Sequence, residues 1–392
     1  MSAYSANIRK MYALRFFLSL HFIGGVLVPF FLDWGGIRYS QIMLLQSFFV
    51  ISIFVLEVPT GAVADYFGRK ASLLLGALSL SAATVVYAAY PSLYIFAIGE
   101  FLWALGGALL SGAAEAFVYD TLGEMGEEHL SKRIFGRFGT VELIALMVSS
   151  PVGSVIASTA GLRYAMLAMS IPFFIAFLIC LTLEEPPVRR EGEDRNYFTL
   201  VQGGIEYFRH HRILQVLAFD SISIGVLAFF VIWTYQPLLQ SLGISIIYFG
   251  FINAAMTGAQ IPIMNNFERL ERLAGSKRRY LAVSSIVPAI GFILLGFVVW
   301  VPSVICLLLI ICGFGLTRYV LFQSYFNKHI ASHNRATVIS TISMLSSIVQ
   351  AIVYPIVGYL VEWSLPRTLI IIGVAMIICT LISRIQEEYL ID

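Results

Sequence analysis

The sequence predicts an all-α membrane protein whose twelve transmembrane helices form two six-helix bundles related by pseudo-two-fold symmetry. Of its 392 residues, 59% are hydrophobic and only 12% are charged, a composition that no soluble globular protein could bury adequately. Runs of about twenty apolar residues, long enough to cross roughly 30 Å of hydrocarbon as helices, follow one another along the chain. A long polar segment in the middle divides these runs into two sets of six.

Helices are the only suitable structure for these runs. Backbone polar groups in lipid must be satisfied within the segment, and the alternating pattern of a membrane barrel is absent. The expected spans cover residues 12–32, 41–62, 72–90, 93–118, 139–159, 163–183, 213–239, 246–264, 281–300, 302–324, 336–361 and 366–384.

The basic residues predict the orientation of these spans. If both termini are cytoplasmic, 21 of the 25 Lys and Arg residues lie in cytoplasmic segments, as the positive-inside rule requires. Three others, Arg38, Arg163 and Arg367, lie outside, and Arg318 lies within a span. We therefore expect a multi-pass protein of a bacterial-type inner (plasma) membrane. Its expected partners are membrane lipid and a small-molecule substrate; we expect a monomer that binds no nucleic acid.

The polar segment between spans 6 and 7 sets the domain boundaries. Its second part, "YFTLVQGGIEYFRHHR", has apolar residues at helical spacing and is predicted to lie along the inner membrane surface. The three expected regions are an N-terminal bundle (1–183), a cytoplasmic central loop with an interfacial helix (184–211) and a C-terminal bundle (212–392).

An internal repeat links the two halves. A shift of 203 positions places "EVPTGAVADYFGR" over "QIPIMNNFERLER", so that an acid and an arginine four residues apart coincide. The superimposed pairs are Pro59 with Pro262, Asp65 with Glu268, Arg69 with Arg272 and Glu57 with Gln260. Two related bundles are the plan of many secondary transporters, whose substrate site lies near the middle of the membrane.

The stretch "GAVADYFGRK" resembles the loop signature of the major facilitator superfamily, G-x-x-x-D-x-x-G-R-K/R, and it follows the second of twelve spans as in that family. The resemblance implies a cytoplasmic gate, in which Asp65 faces the eleventh helix near Asn334 and Arg69 pairs with Asp120 at the inner end of the fourth. The expected gate residues are Glu57, Gly61, Asp65, Gly68, Arg69, Lys70, Asp120, Glu268 and Arg272.

Ionisable residues within spans are candidates for proton coupling, because each costs roughly 2.5–3.5 kcal/mol to insert. Glu115 is the first candidate, since Gly107, Ser111, Glu115 and Tyr119 recur every four residues and form one small or polar helix face. A structural pairing of Glu115 with Arg or backbone groups remains an alternative. The other candidates are Asp220, Glu142 and His21; Asp220 could equally be an interfacial acid, and His21 a packing residue.

Polar residues at helical spacing predict a substrate cavity. Span 11 carries such a stripe, and Arg318 needs an anion, which Glu115, Asp220 or an anionic substrate could provide. The candidates for the cavity are Ser111, Tyr119, Trp233, Tyr235, Gln236, Asn253, Gln260, Arg318, Ser343, Ser347, Gln350 and Tyr354.

Two departures from the family motifs concern coupling and direction. Glu100 stands where the fourth-span motif G-R-x-x-x-G has its arginine. In span 5, "SSPVGSV" keeps Pro151 and Gly153 of the G-P-x-x-G-G motif of antiporters but lacks two glycines.

The sequence therefore predicts proton-coupled efflux of a small amphipathic or cationic compound by alternating access, as an antiporter. The alternatives are proton-coupled uptake of a small metabolite, including an anionic one, and a non-transporting membrane sensor. Neither catalytic motifs nor metal-ligand spacings of the four cysteines occur, so we expect no enzyme, no metal and no cofactor, with the proton gradient as driving force.

Overall fold

Helices make up all the regular structure that is described. The computed structural model covers residues 4–187, 197–331 and 335–391, without the side chains of residues 5, 197–202 and 336. Within these ranges, eleven helical segments are long and apolar enough to cross a membrane. Two further helices in the first span, bent by 66° where they meet, bring the number to twelve if they count as one span. The predicted all-α membrane fold is confirmed.

The chain divides into two compact units. Unit 1 comprises residues 1–193 and 245–254, and unit 2 comprises residues 194–244 and 255–392. The first turns of span 8 therefore belong with unit 1, whereas the sequence assigned the whole span to the second bundle. Part of the central loop, residues 188–196, lies outside the described residues.

Unit 1 contains the first six spans. Span 1 breaks after its first helix, in "SLHFIGGVLVP", where two glycines and a proline disfavour a continuous helix. Span 4 breaks at Gly112, whose φ of +69° suits glycine. The helices are Ser5–Leu18, Phe22–Gly25, Leu27–Pro29 and Phe30–Trp34 (span 1); Tyr39–Phe67 (span 2); Arg69–Ala89 (span 3); Leu93–Leu110 and Ala113–Met125 (span 4); Ser131–Thr159 (span 5), preceded by Glu128–Leu130; and Leu162–Ala168 and Ser170–Thr182 (span 6).

Unit 2 contains the linker helix and most of the last six spans. Its helices are Tyr197–His210 (linker helix); Arg212–Ser241 (span 7); Phe249–Gly258 and Gln260–Met264 (span 8), preceded by Ile246–Tyr248; Phe267–Ala274; Lys277–Leu295 (span 9); Val301–Ile311, Cys312–Leu316 and Arg318–His329 (span 10); Arg335–Trp363 (span 11); Leu365–Ile382 (span 12); and Glu387–Tyr389.

Small residues allow very close helix packing in unit 1. A Cβ added to Gly153 of span 5 would lie 1.6 Å from the carbonyl oxygen of Phe22, at the break in span 1. A Cβ added to Gly250 would lie 2.0 Å from the carbonyl oxygen of Ser150, and the Gly250 amide donates to Ser154 Oγ at 2.7 Å. This backbone contact, of a kind that only small residues permit, explains why residues 245–254 belong to unit 1.

The linker helix of unit 2 packs against the beginning of span 11. A Cβ on Gly204 would lie 2.5 Å from Thr341 Oγ1 and 2.7 Å from Thr337 Cγ2, so the glycine permits close approach of the two helices. The predicted helix in the central loop is therefore present. Two of its predicted apolar positions, Phe198 and Val201, have side chains outside those described.

Candidate functional site

The loop between spans 2 and 3 holds an ion pair in unit 1. Arg69, the first residue of span 3, pairs with Asp120 of span 4, and both side chains are largely buried, with exposures of 23% and 20%. The resemblance implied this pair. It fixes the last turns of span 4 to the beginning of span 3.

A second acid, Glu185, caps the same helix. Its carboxylate accepts the backbone N–H groups of Arg69 and Lys70 at 2.8 and 2.7 Å, a favourable place for an anion at a helix N-terminus. Gly68 makes the turn with a φ of +93°, and a Cβ there would lie 3.0 Å from the Glu185 carboxylate. The segment after span 6 is thereby fastened to span 3.

Unit 2 repeats this cap. The carboxylate of Glu387, after span 12, accepts the backbone N–H groups of Lys277 and Arg278 at 2.9 Å each. By these contacts, Lys277 is the structural counterpart of Arg69. The sequence repeat had instead aligned Arg69 with Arg272, five residues earlier. The helix Phe267–Ala274 lengthens the second loop and accounts for the difference. Arg272 and Glu268 are exposed on that helix, where Arg272 Nε donates to the Glu268 carbonyl at 3.3 Å.

We expect Glu387→Gln to destabilise unit 2 by about 1 kcal/mol, the usual loss when a helix N-terminus loses a capping oxygen. Burial raises the pKa of Glu387, but hydrogen bonds from Arg278 and Lys277 outweigh it, and the pKa is lower than usual. The ionised Glu387 carboxylate thus stabilises fully above the pKa that this group has in the unfolded chain. The stabilisation is lost as the pH falls through the lower pKa that Glu387 has in the folded protein.

Melting temperatures of the wild type and the variant between pH 3 and pH 8 test this expectation. The difference in melting temperature between the wild type and Glu387→Gln should be constant near neutral pH and vanish in acid. Glu388→Gln, which changes the neighbouring exposed carboxyl, is the control and should match the wild type. A pH-independent difference for Glu387→Gln would refute the capping role of the charge.

The predicted gate residues of span 2 are exposed. The helix of span 2 continues through Pro59 and Gly61 to Phe67, so this part of the signature is helical and does not form the turn. Glu57 and Asp65 are exposed on it, and a Cβ on Gly61 would meet nothing within 4 Å. Gly61 is therefore not a point of close helix approach. Asn334, the expected partner of Asp65, lies outside the described residues.

A cavity of about 330 Å³, lined by both polar and apolar side chains, lies in unit 2 between spans 7, 10 and 11. Three predicted residues of span 11, Ser343, Ser347 and Gln350, line it. Its other polar lining residues are Ser221, Tyr319, Gln323 and Ser346, and aromatic contact comes from Phe229 and Phe326. Among the described residues, none that lines this cavity carries a charge.

Arg318 and Asp220 form a buried ion pair behind the cavity wall. Their side chains are 2% and 5% exposed. Arg318 also donates to the Leu281 carbonyl at 2.7 Å and to Ser284 Oγ, and its guanidinium lies 5.3 Å from the centre of the Phe322 ring. The two terminal guanidinium nitrogens of Arg318 are therefore bonded within unit 2, and Arg318 does not line the cavity.

Four other predicted cavity residues lie in the core of unit 2. Trp233, Tyr235, Gln236 and Tyr354 are buried. The Tyr354 ring packs edge-on against Phe230 and Trp233, with ring centres 5.5 and 6.2 Å away, and Gln236 Nε2 donates to Tyr235 Oη at 3.0 Å. These residues do not line the described cavity.

The two predicted residues of span 8 lie in different units. In unit 1, Asn253 donates to Ser150 Oγ at 3.0 Å. In unit 2, Gln260 is half-buried and lies 3.5 Å from the Met256 carbonyl of its own helix. Neither residue lines the described cavity.

Three of the proton-coupling candidates lie in unit 1, each in a different setting. Glu115 and Tyr119 are exposed on the helix Ala113–Met125, and Ser111 is exposed at the break of span 4, so the four-residue spacing does not place Ser111 on their helix face. Glu142 pairs with Arg15 at 2.5 Å in a partly exposed position. His21 packs between Trp103 and Phe173, with ring centres 5.7 and 5.9 Å away, and its Nε2 lies 3.1 Å from the Leu18 carbonyl.

The structure adds a polar cluster in unit 1 that the sequence did not select as a site. Gln46 Nε2 donates to Glu100 Oε1 at 2.8 Å, and the Tyr87 side chain is also hydrogen-bonded to Glu100. The one sequence signal was the acid in place of the family arginine. Its partners, from spans 2 and 3, could not be inferred from spacing.

A family model now decides the classification. The model described as Major Facilitator Superfamily matches residues 13–354. The chain belongs to the major facilitator superfamily. Its Arg69 and Asp120, which the loop signature of this superfamily implies as partners, form an ion pair. Members of the superfamily are transporters and not enzymes.

Curated relatives of this superfamily member match at low identity. The chain is 24% identical over 267 residues to an uncharacterized MFS-type transporter, YxaM, of Bacillus subtilis, covering 63% of this chain and 62% of the relative. It is 24% identical over 208 residues to a glucose/galactose transporter of Brucella abortus, covering 47% of this chain and 50% of the relative. The matches thus span between half and about three fifths of these relatives.

Solved structures of superfamily proteins share the fold over nearly the whole chain. The nucleoside transporter NupG matches with a TM-score of 0.76 at 14% identity, covering 96% of this chain and 98% of that one. A D-xylose-proton symporter matches with a TM-score of 0.69 at 14% identity, covering 98% of both chains. At such identity the likeness concerns the fold alone.

Proposed function

We propose that this chain is a secondary transporter for a small, uncharged polar solute, such as a sugar or a nucleoside. The observation that carries this proposal is the cavity of unit 2, which is rich in hydroxyl and amide groups and has no charged residue among its described lining. The family match and the inner-end ion pair support transport by alternating access. The distribution of Lys and Arg supports cytoplasmic termini.

The lining of the cavity favours a neutral, hydrogen-bonding solute. Serine hydroxyls and the amides of Gln323 and Gln350 each donate and accept hydrogen bonds, as a polyhydroxylated solute requires. Phe229, Phe326 and Tyr319 offer apolar ring faces. The volume, about 330 Å³, lies at the small end of the range for ligand pockets, which favours a solute of metabolite size.

The placement of charge argues against a charged solute in this cavity. Asp220 and Arg318, the ionisable residues nearest to it in sequence, are bonded to each other. A solute ion entering this cavity would lose its hydration without gaining a counter-charge, which is costly. The names of two similar proteins agree with a neutral solute: glucose and galactose for the Brucella protein, and nucleosides for NupG.

A second candidate function is proton-coupled efflux of a small amphipathic or cationic compound. One observation favours it: Glu115 and Tyr119 form an exposed face on the second helix of span 4. A carboxylate on such a face could attract a cation or exchange a proton. On this alternative, Glu115→Gln abolishes proton-driven accumulation but spares exchange of solute.

Transport in proteoliposomes tests the first candidate. We expect labelled sugar or nucleoside to exchange across vesicles that contain the wild type. Gln323→Ala and Gln350→Ala should each raise the dissociation constant about two- to tenfold, because each removes one net hydrogen bond of about 0.5–1.5 kcal/mol.

Ser223→Ala is the matched control. Ser223 lies beside the lining residues of span 7, but its hydroxyl donates to the Phe219 carbonyl of its own helix at 2.6 Å. It should bind solute as the wild type does. Binding without passage across the vesicle membrane would indicate a sensor, and unaltered affinity in both glutamine variants would refute the cavity as the solute site.

A further inference from the structure

A buried acid in unit 1 has no counter-charge among the described residues. Glu100, in the first half of span 4, is 4% exposed. Gln46 from span 2 and Tyr87 from span 3 bind its carboxyl group, and they are 8% and 3% exposed. Three spans thus meet at one carboxyl group.

The surroundings of the cluster are apolar and aromatic. The Tyr87 ring lies about 6.0–6.5 Å, centre to centre, from the rings of Phe30, Phe31, Phe96 and Trp103. A Cβ on Gly99 would lie 2.9 Å from the Tyr87 ring, so this glycine allows the ring to approach span 4 closely. The packing holds the phenol next to Glu100.

No positive charge compensates Glu100. Among the described residues, no Lys, Arg or His forms an ion pair with it, and Tyr87 is the titratable group in contact with it. The other acids of the described spans are either exposed or paired with an arginine. The paired ones are Asp120 with Arg69, Glu142 with Arg15, and Asp220 with Arg318.

An ionised carboxylate is costly in such surroundings, since burial without a counter-ion strongly favours the neutral form. The two partners suit a protonated carboxyl group. The Gln46 amide donates to one carboxyl oxygen, and the other oxygen can carry a proton and donate it to the Tyr87 hydroxyl. Each oxygen of the carboxyl group then has a hydrogen-bond partner without any net charge.

We infer that Glu100 is a proton-binding site of unit 1, a carboxyl group that keeps its proton at neutral pH and thereby joins spans 2, 3 and 4. When the proton leaves in alkaline solution, a negative charge remains among apolar residues. The inference is independent of which solute is transported.

Infrared spectroscopy of the purified protein at pH 7 tests this inference directly. We expect the wild type to show the carbonyl band of a protonated carboxyl group and Glu100→Gln to lack it. Tyr87→Phe, which keeps the ring, should retain the band at a shifted frequency, because the carboxyl group loses a hydrogen-bond partner. This variant serves as the test if Glu100→Gln does not fold.

Glu142→Gln is the matched control, since it removes an acid of unit 1 that an arginine compensates; it should leave the band unchanged. Absence of the band from the wild type, its persistence in Glu100→Gln or an unchanged frequency in Tyr87→Phe would overturn the inference.

Discussion

Replacing Arg318 with methionine is expected to destabilise unit 2 by about 3–5 kcal/mol, the usual cost of removing one partner from a buried ion pair. The variant leaves the carboxylate of Asp220 buried without its cation. It also removes the donor to the Leu281 carbonyl and to Ser284 Oγ. The free energy of unfolding in mixed detergent micelles, or the melting temperature in detergent, measures the loss.

A double variant separates the effect of charge from the effect of packing. Asp220→Leu combined with Arg318→Met removes both charges, and we expect it to recover much of the stability that either single change loses, because an apolar pair often replaces a buried ion pair at little cost. Additive losses in the double variant would show that the two charges do not act as a pair.

Replacing Gly153 with alanine should destabilise unit 1 by about 3 kcal/mol or more, at or beyond the upper end of overpacking costs. The added Cβ would lie 1.6 Å from the carbonyl oxygen and 2.4 Å from the carbonyl carbon of Phe22. These are backbone atoms, so relief requires span 1 to move away from span 5. The melting temperature should fall sharply.

Gly139→Ala is the matched control in the same helix. A Cβ at Gly139 would meet nothing within 4 Å, so alanine should be neutral or stabilise by about 0.5–1 kcal/mol through its better helix propensity. Similar melting temperatures for the two variants would contradict the close backbone contact of spans 1 and 5.

Much of the fold was predictable because spanning helices leave a strong signal in composition and length. The spans, their helical nature and the polar stripe of Ser343, Ser347 and Gln350 followed from local periodicity. The pairing of Arg69 with Asp120 followed from the family signature. The break in span 1 was missed because hydropathy does not reveal where a helix bends.

The remaining interactions depend on residues that are distant in sequence. Glu185 caps a helix 116 residues before it, and Gln46 meets Glu100 across 54 positions. Neither spacing has a signature in a single sequence. Arg318 was predicted to line the cavity because of its charge alone. In the structure this charge is paired with Asp220, and Arg318 does not line the cavity.

Calorimetric binding of three analogues of one sugar ring tests the central claim, a solute cavity without charge, most directly. Glucose is neutral, glucosamine is a cation and glucuronate is an anion at neutral pH. If glucose is the ligand, we predict that glucose binds at least about tenfold, or 1.4 kcal/mol, more tightly than either charged analogue. Uridine and its monophosphate make the same comparison for nucleosides. Tighter binding of either charged analogue would contradict the account.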